Sequence, residues 1–184
     1  MSAATTTATD TTAIAHAVAP PDVERHRRIV RRTMARRSFA VLATSSAANR
    51  PHVAGVMYAT TPHGIFVSTS GDSVKARNVR QNEHVGVSIP VRKAPFGPPF
   101  CVQFQTTAEV LPVDHPLVTE LLAAGSLKAI TGHGELDLPD SVFLRLRPPR
   151  RVVTFGLGVP LLSVVRHPLE AGRAVDLDGV PVRR

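Results

Sequence analysis

Ser68-Thr69-Ser70-Gly71-Asp72-Ser73-Val74-Lys75-Ala76-Arg77-Asn78 is where this chain passes from a strand into a helix. The apolar, β-rich run Ile65 to Ser70 ends in hydroxyl residues, and a glycine leads into the short helical stretch Val74 to Asn82. A helix start has free N–H groups and a partial positive charge, so it holds phosphates. Ser68, Thr69, Ser70 and Ser73 can donate hydrogen bonds to phosphate oxygens, and Lys75 adds a mobile positive charge. Asn78 lies one helical turn beyond Lys75, placed to contact a ligand or to fix a loop. The same residues also read as ordinary N-cap and turn chemistry, with Lys75 and Arg77 facing water.

Strands surround this segment. Ser38 to Ser45 is apolar and β-rich, and Ala47 to Pro51 has turn composition. His52 to Thr60 reads as a second strand, closed by Thr61-Pro62-His63-Gly64 into Ile65 to Ser70. Val85 to Val91 is a fourth strand. A Pro/Gly-rich loop, Lys93 to Pro99, leads to the long strand Phe100 to Leu111. Asp114-His115-Pro116 opens a helix carrying Leu117, Val118, Leu121 and Leu122, and Gly125 to Asp140 is irregular. Val142 to Arg147 and Arg151 to Phe155 are further strands, and Gly156-Leu157-Gly158 is a strand exit, too short for a dinucleotide fingerprint. Short strands at hairpin spacing with a few helices predict a closed or partly closed barrel.

Length, 184 residues, favours one domain. The expected division is a disordered tail over 1–21, a cofactor-binding domain over 22–160 and a C-terminal extension over 161–184. The tail has neither the basic start nor the apolar core of an export signal, which predicts a cytoplasmic protein. No apolar stretch approaches the roughly 20 residues that span a bilayer. Cys101 is the only cysteine, so neither an internal disulfide nor a cysteine zinc cluster is possible, and it reads as a small buried hydrophobe. The net charge of +8 invites a nucleic-acid reading. The excess sits mostly in one helix opened by Asp22, with seven arginines between Arg25 and Arg37. There is no Trp and one Tyr, so stacking platforms for single strands are scarce. Val23, Ile29, Val30, Thr33 and Met34 form the apolar stripe of that helix.

Four pieces occur in a recognisable order: RRSFAVLATSSAANRPHVAGVMY, GIFVSTS, SVKARNVRQNEHVGVSI and a later strand ending TTAEVL. Together, over roughly Arg36 to Leu111, they resemble the split-barrel flavin and deazaflavin reductases of the pyridoxamine 5'-phosphate oxidase superfamily. The most specific part is Ser73-x-Lys75-x-x-Asn78, followed by Asn82. The resemblance implies a mainly β split barrel with flanking helices, a homodimer with the cofactor at its interface, and FMN or the deazaflavin coenzyme F-420 as that cofactor. It implies that Ser68 and Thr69 are strand-end contacts and that Ser73 and Lys75 clamp the phosphate. His52, Val53 and Met57 then lie on the strand beside the ring, and Gln103 and Gln105 reach it across the dimer. The missing Trp and an end reading FGLGVPLLSVVRHPLEAGRAVDL depart from the vitamin-B6 oxidases; the Lys-Ala-Arg-Asn motif resembles the deazaflavin-using branch.

The expected function is therefore an oxidoreductase moving a hydride between the coenzyme and a small organic substrate. No residue is named as catalytic, because the coenzyme carries the redox chemistry. The rivals are a non-catalytic flavin or haem binder and a basic nucleic-acid module built on the Arg25–Arg37 helix; the scarce aromatics and the barrel pattern oppose the latter. The eight histidines are scattered, none with zinc-pair spacing, and apart from His52 they read as turn or surface residues. No metal is expected.

Overall fold

The computed structural model describes residues 22–92, 100–132 and 134–177. The tail over 1–21, the loop Lys93 to Pro99 and His133 lie outside these residues.

Helix α1 (Val23–Arg36) is capped by Asp22, whose carboxylate accepts the Arg25 amide at 2.8 Å. His26, Val30 and Met34, four residues apart, form its buried face, and most of the arginines stay outside. The strands are β1 (Phe39–Ser45), β2 (Pro51–Met57), β3 (Ala59–Thr61), β4 (Gly64–Ser70), β5 (His84–Val91), β6 (Phe100–Pro112), β7 (Ser141–Leu146), β8 (Arg151–Phe155) and β9 (Gly172–Asp176). The remaining helices are α2 (Val74–Gln81), α3 (Pro116–Ala123), α4 (Lys128–Thr131) and α5 (Leu161–Arg166).

All strand pairs are antiparallel, in the order β2-β1-β5-β6-β7-β4-β3. The long β6 carries β5 on one edge, and β8 and then β7 on the other. β2 approaches β4 without a hydrogen-bonded ladder, so the barrel is split at that seam. Leu42, Val56, Tyr58, Val67, Ile89 and Leu146 fill the interior and leave a void of only about 10 Å³. A second cluster, built on Phe66, Val118, Leu121, Leu127 and Phe143, packs α3 and α4 against β4 and β7.

Three local features differ from the expectation. The strand expected over His52 to Thr60 breaks at Tyr58. Its amide donates to the Ser38 carbonyl at 2.8 Å and its hydroxyl to the Met34 carbonyl at 2.7 Å. That residue turns the chain from pairing with β1 to pairing with β4. The Gly125 to Asp140 region contains α4, because Leu127 and Ile130 are buried there. The C-terminal segment supplies α5 and β9, and β9 pairs with β8 over Arg151–Phe155. His26 also departs from the surface reading: it is 4% exposed. Among the described residues, no helix is long and apolar enough to cross a membrane.

Candidate functional site

β4 leads through Gly71 to the N-terminus of α2. Ser73 caps that helix, its Oγ accepting the Ala76 amide at 3.3 Å. Thr69 donates its hydroxyl proton to the same Oγ at 3.3 Å. The amides of Val74 and Lys75 have no acceptor among the described residues, as the first turn of a helix dictates.

The loop before α2 is clasped from a distance in sequence. Ser70 donates its hydroxyl to Asp140 Oδ2. The Asp72 amide donates to Ser70 Oγ at 3.1 Å and to Asp140 Oδ2 at 3.3 Å, and the Gly71 amide to the Asp140 carbonyl at 2.8 Å. The Ser70 hydroxyl holds the Asp140 carboxyl below its usual range. Arg80 donates to the Gly71 carbonyl at 2.6 Å and Arg77 to the Asp72 carbonyl. These two cations are thus engaged with the loop. Lys75 is half-buried, has no carboxylate partner among the described residues, and burial lowers the pKa of its ammonium.

Asn78 is buried and donates from Nδ2 to Thr44 Oγ1 at 3.0 Å, tying α2 to β1. Its side chain fixes an element. Thr44 lies directly opposite His52 in the β1–β2 ladder, so the half-buried His52 shares the inner face and stands at the rim that α2 covers.

Val53 and Met57 face the other way. The register lines up Val53, Ala43, Gly86 and Gln105 across four strands, and Gly55, Val41, Ser88, Gln103 and Val153 across five. Val53 is 62% exposed. The Phe39 ring, opposite the pair of Met57, overlies Gly55, where an added Cβ would stand 3.0 Å from it. The expected site residues thus fall into two groups, His52, Thr69, Ser73, Lys75 and Asn78 at the α2 end and Val53, Met57, Gln103 and Gln105 on the outer sheet face. Ser68 joins neither. Strand alternation puts it opposite to Thr69, on the face of Phe66, and its Oγ is buried without a partner.

The packed interior excludes a ligand from the barrel. An open groove of about 500 Å³ behind α2 carries Glu83 and Glu109, which makes it a poor host for phosphate. Asp140 was not foreseen in the sequence, since nothing in an irregular loop 70 residues away announces the contact. Among the described residues no cluster of three His, Cys, Asp or Glu could hold a metal.

The family model described as pyridoxamine 5'-phosphate oxidase matches residues 27–152. The chain belongs to that family. Its split barrel and the α2 segment lie within the match, whereas α5 and β9 lie beyond it. Curated protein sequences give no significant match. Solved structures similar to this family member include the haem storage protein HutZ from Vibrio cholerae, at 23% identity and a TM-score of 0.58, covering 75% of this chain and 95% of that one. A haem-binding protein from Mycobacterium smegmatis matches at 18% identity and a TM-score of 0.61, covering 86% of this chain and 60% of that one. ChuZ from Campylobacter jejuni matches at 11% identity and a TM-score of 0.66, covering 89% and 65%. At these identities the likeness is one of fold.

Proposed function

We propose that this protein is a homodimeric oxidoreductase that holds a flavin-type coenzyme, FMN or the deazaflavin coenzyme F-420, by its phosphate at the N-terminus of α2. The observation that carries this reading is Lys75: a half-buried ammonium, free of carboxylates among the described residues, beside two amides without acceptors. A phosphate is the group whose chemistry suits an ammonium and free helix-start amides together. Ser73 and Thr69 present hydroxyl oxygens beside it, and Asp140 with Arg80 keeps the loop in shape. When bound, such a coenzyme supplies hydride transfer to or from a small organic substrate. The chain's own residues bind and orient: the α2 end takes the phosphate, and the outer face with Val53, Gln103 and Gln105 lies against ring or partner.

A second reading, a haem binder without turnover, draws on two of the structural neighbours, described as haem storage and haem binding. Titration of the purified chain with FMN, F-420 and haemin, followed by absorbance and fluorescence, separates the two. Saturable binding of either flavin-type coenzyme that Lys75→Ala weakens by about ten- to hundredfold supports the first reading. Haemin binding alone, indifferent to Lys75, replaces it with the second.

A further inference from the structure

The cleft over His26 belongs to no part of the coenzyme site. It is bounded by α1, by the chain leaving β8 and by Arg173 of β9, and it encloses about 130 Å³. A single water needs about 10–15 Å³ by the same kind of measure, so the cleft has room for a small organic molecule. His26, Gly158 and Arg173 all lie outside the residues that the family model matches.

The hydrogen bonds around His26 favour one tautomer. The Thr154 hydroxyl donates to the Arg173 carbonyl at 3.3 Å. A hydroxyl has one proton; assigning it to that carbonyl makes the ring the donor in the 3.1 Å contact between His26 Nε2 and Thr154 Oγ1. Nδ1 is then an acceptor facing the cleft, on a side chain 4% exposed, and no donor among the described residues meets it. Gly158 keeps the space before it open: at φ +74° it is a residue few others replace, and a Cβ there would stand 3.0 Å from Nδ1. Burial and the Arg173 guanidinium both push the imidazole pKa down, which keeps Nδ1 an acceptor at neutral pH.

The walls complete the recognition. Arg25 has no carboxylate partner for its side chain among the described residues. Arg173 donates through Nη1 to the carbonyls of Glu170 at 2.6 Å and Gly172 at 3.0 Å, leaving other guanidinium N–H groups available. Asp22, the one acid on the cleft among the described residues, caps α1. Ile29 and Leu157 supply an apolar side.

We propose that this cleft is a second ligand site, taking a small oxyanion that carries its own O–H group, with its charged oxygens toward Arg25 and Arg173 and its O–H donated to His26 Nδ1. A hydroxycarboxylate and hydrogen phosphate share that chemistry. The test is nitrogen NMR of the full chain labelled with [15N]histidine, titrated separately with glycolate, inorganic phosphate and acetate. In the free protein His26 shows the Nε2–H tautomer. Glycolate or phosphate moves its Nδ1 resonance saturably, and the one that saturates first identifies the oxyanion. Acetate, which has the charge without the O–H at neutral pH, binds about tenfold more weakly. Gly158→Ala, checked for folding by circular dichroism, abolishes the shift. An Nδ1–H tautomer in the free protein, no saturable shift with either probe, or acetate equal to glycolate overturns the proposal, and none of these requires a variant to fold. The coenzyme reading is untouched by any of these outcomes.

Discussion

Gly156 shows how little freedom a single position has here. Its φ is +72°, and a Cβ would fall 1.9 Å from Phe100 Cδ1. Gly156→Ala therefore both strains the backbone and displaces a buried ring, and we expect a loss of about 1–3 kcal/mol in chemical denaturation. Tyr58, the chain's single tyrosine, is buried with its hydroxyl on the Met34 carbonyl, and burial pushes its phenol far above the usual range. Tyrosinate absorbance should then appear on alkaline titration only as the far-ultraviolet dichroism is lost. His26 gives the acid-side counterpart. Its folded pKa lies below the ordinary value of 6.5, so between the two the unfolded chain binds more protons. Stability is undiminished above about pH 6.5 and falls as the pH drops below it. His26→Gln should flatten that fall when denaturation midpoints are compared from about pH 5 to about pH 7.5.

At the scale of elements, α2 is held at two points. Asn78 ties it to β1 through Thr44, and the Asp140 clasp shapes the loop that feeds its first turn. The two contacts separate stability from binding. Asn78→Ala leaves a buried hydroxyl without its donor and should lower stability by about 1–2 kcal/mol. Asp140→Asn keeps the volume but removes the charge that orders Ser70 and the Asp72 amide. It should weaken phosphate-bearing coenzymes in the same titration that tests Lys75, while the thermal midpoint changes little. The helix itself was legible in the sequence, because Ser73 is a cap residue before an amphipathic run. The clasp was not, because side chains 70 residues apart meet only after β4 and β7 have paired.

On the whole molecule, the outer face of the β2-β1-β5-β6-β8 sheet is low in relief. Gly55, Gly86, Ala43 and Ser88 run through it, with Phe39, Val53, Met57 and Val153 exposed around them. We propose this face as the homodimer contact, since it carries the expected ring and cross-dimer residues together. Val53→Glu, at a position 62% exposed, should leave the monomer fold intact and shift sedimentation from dimer to monomer, with coenzyme affinity falling in parallel. A dimer that persists unchanged overturns the assignment of this face. Alternating apolar residues and turn signals were enough to determine from sequence that the chain is a mainly β barrel entered by one basic helix, because period and turn chemistry are local properties. The Ser73-x-Lys75-x-x-Asn78 run likewise marked the start of α2, since a helix start is recognisable from a few neighbouring residues. Only the tertiary structure decided that Ser68 and Thr69 face apart, that Asn78 serves β1, that β9 completes the sheet and that His26 is buried against Thr154. Each of these depends on strand register or on packing between distant segments, and a shift of one residue in register would reverse which face every side chain occupies.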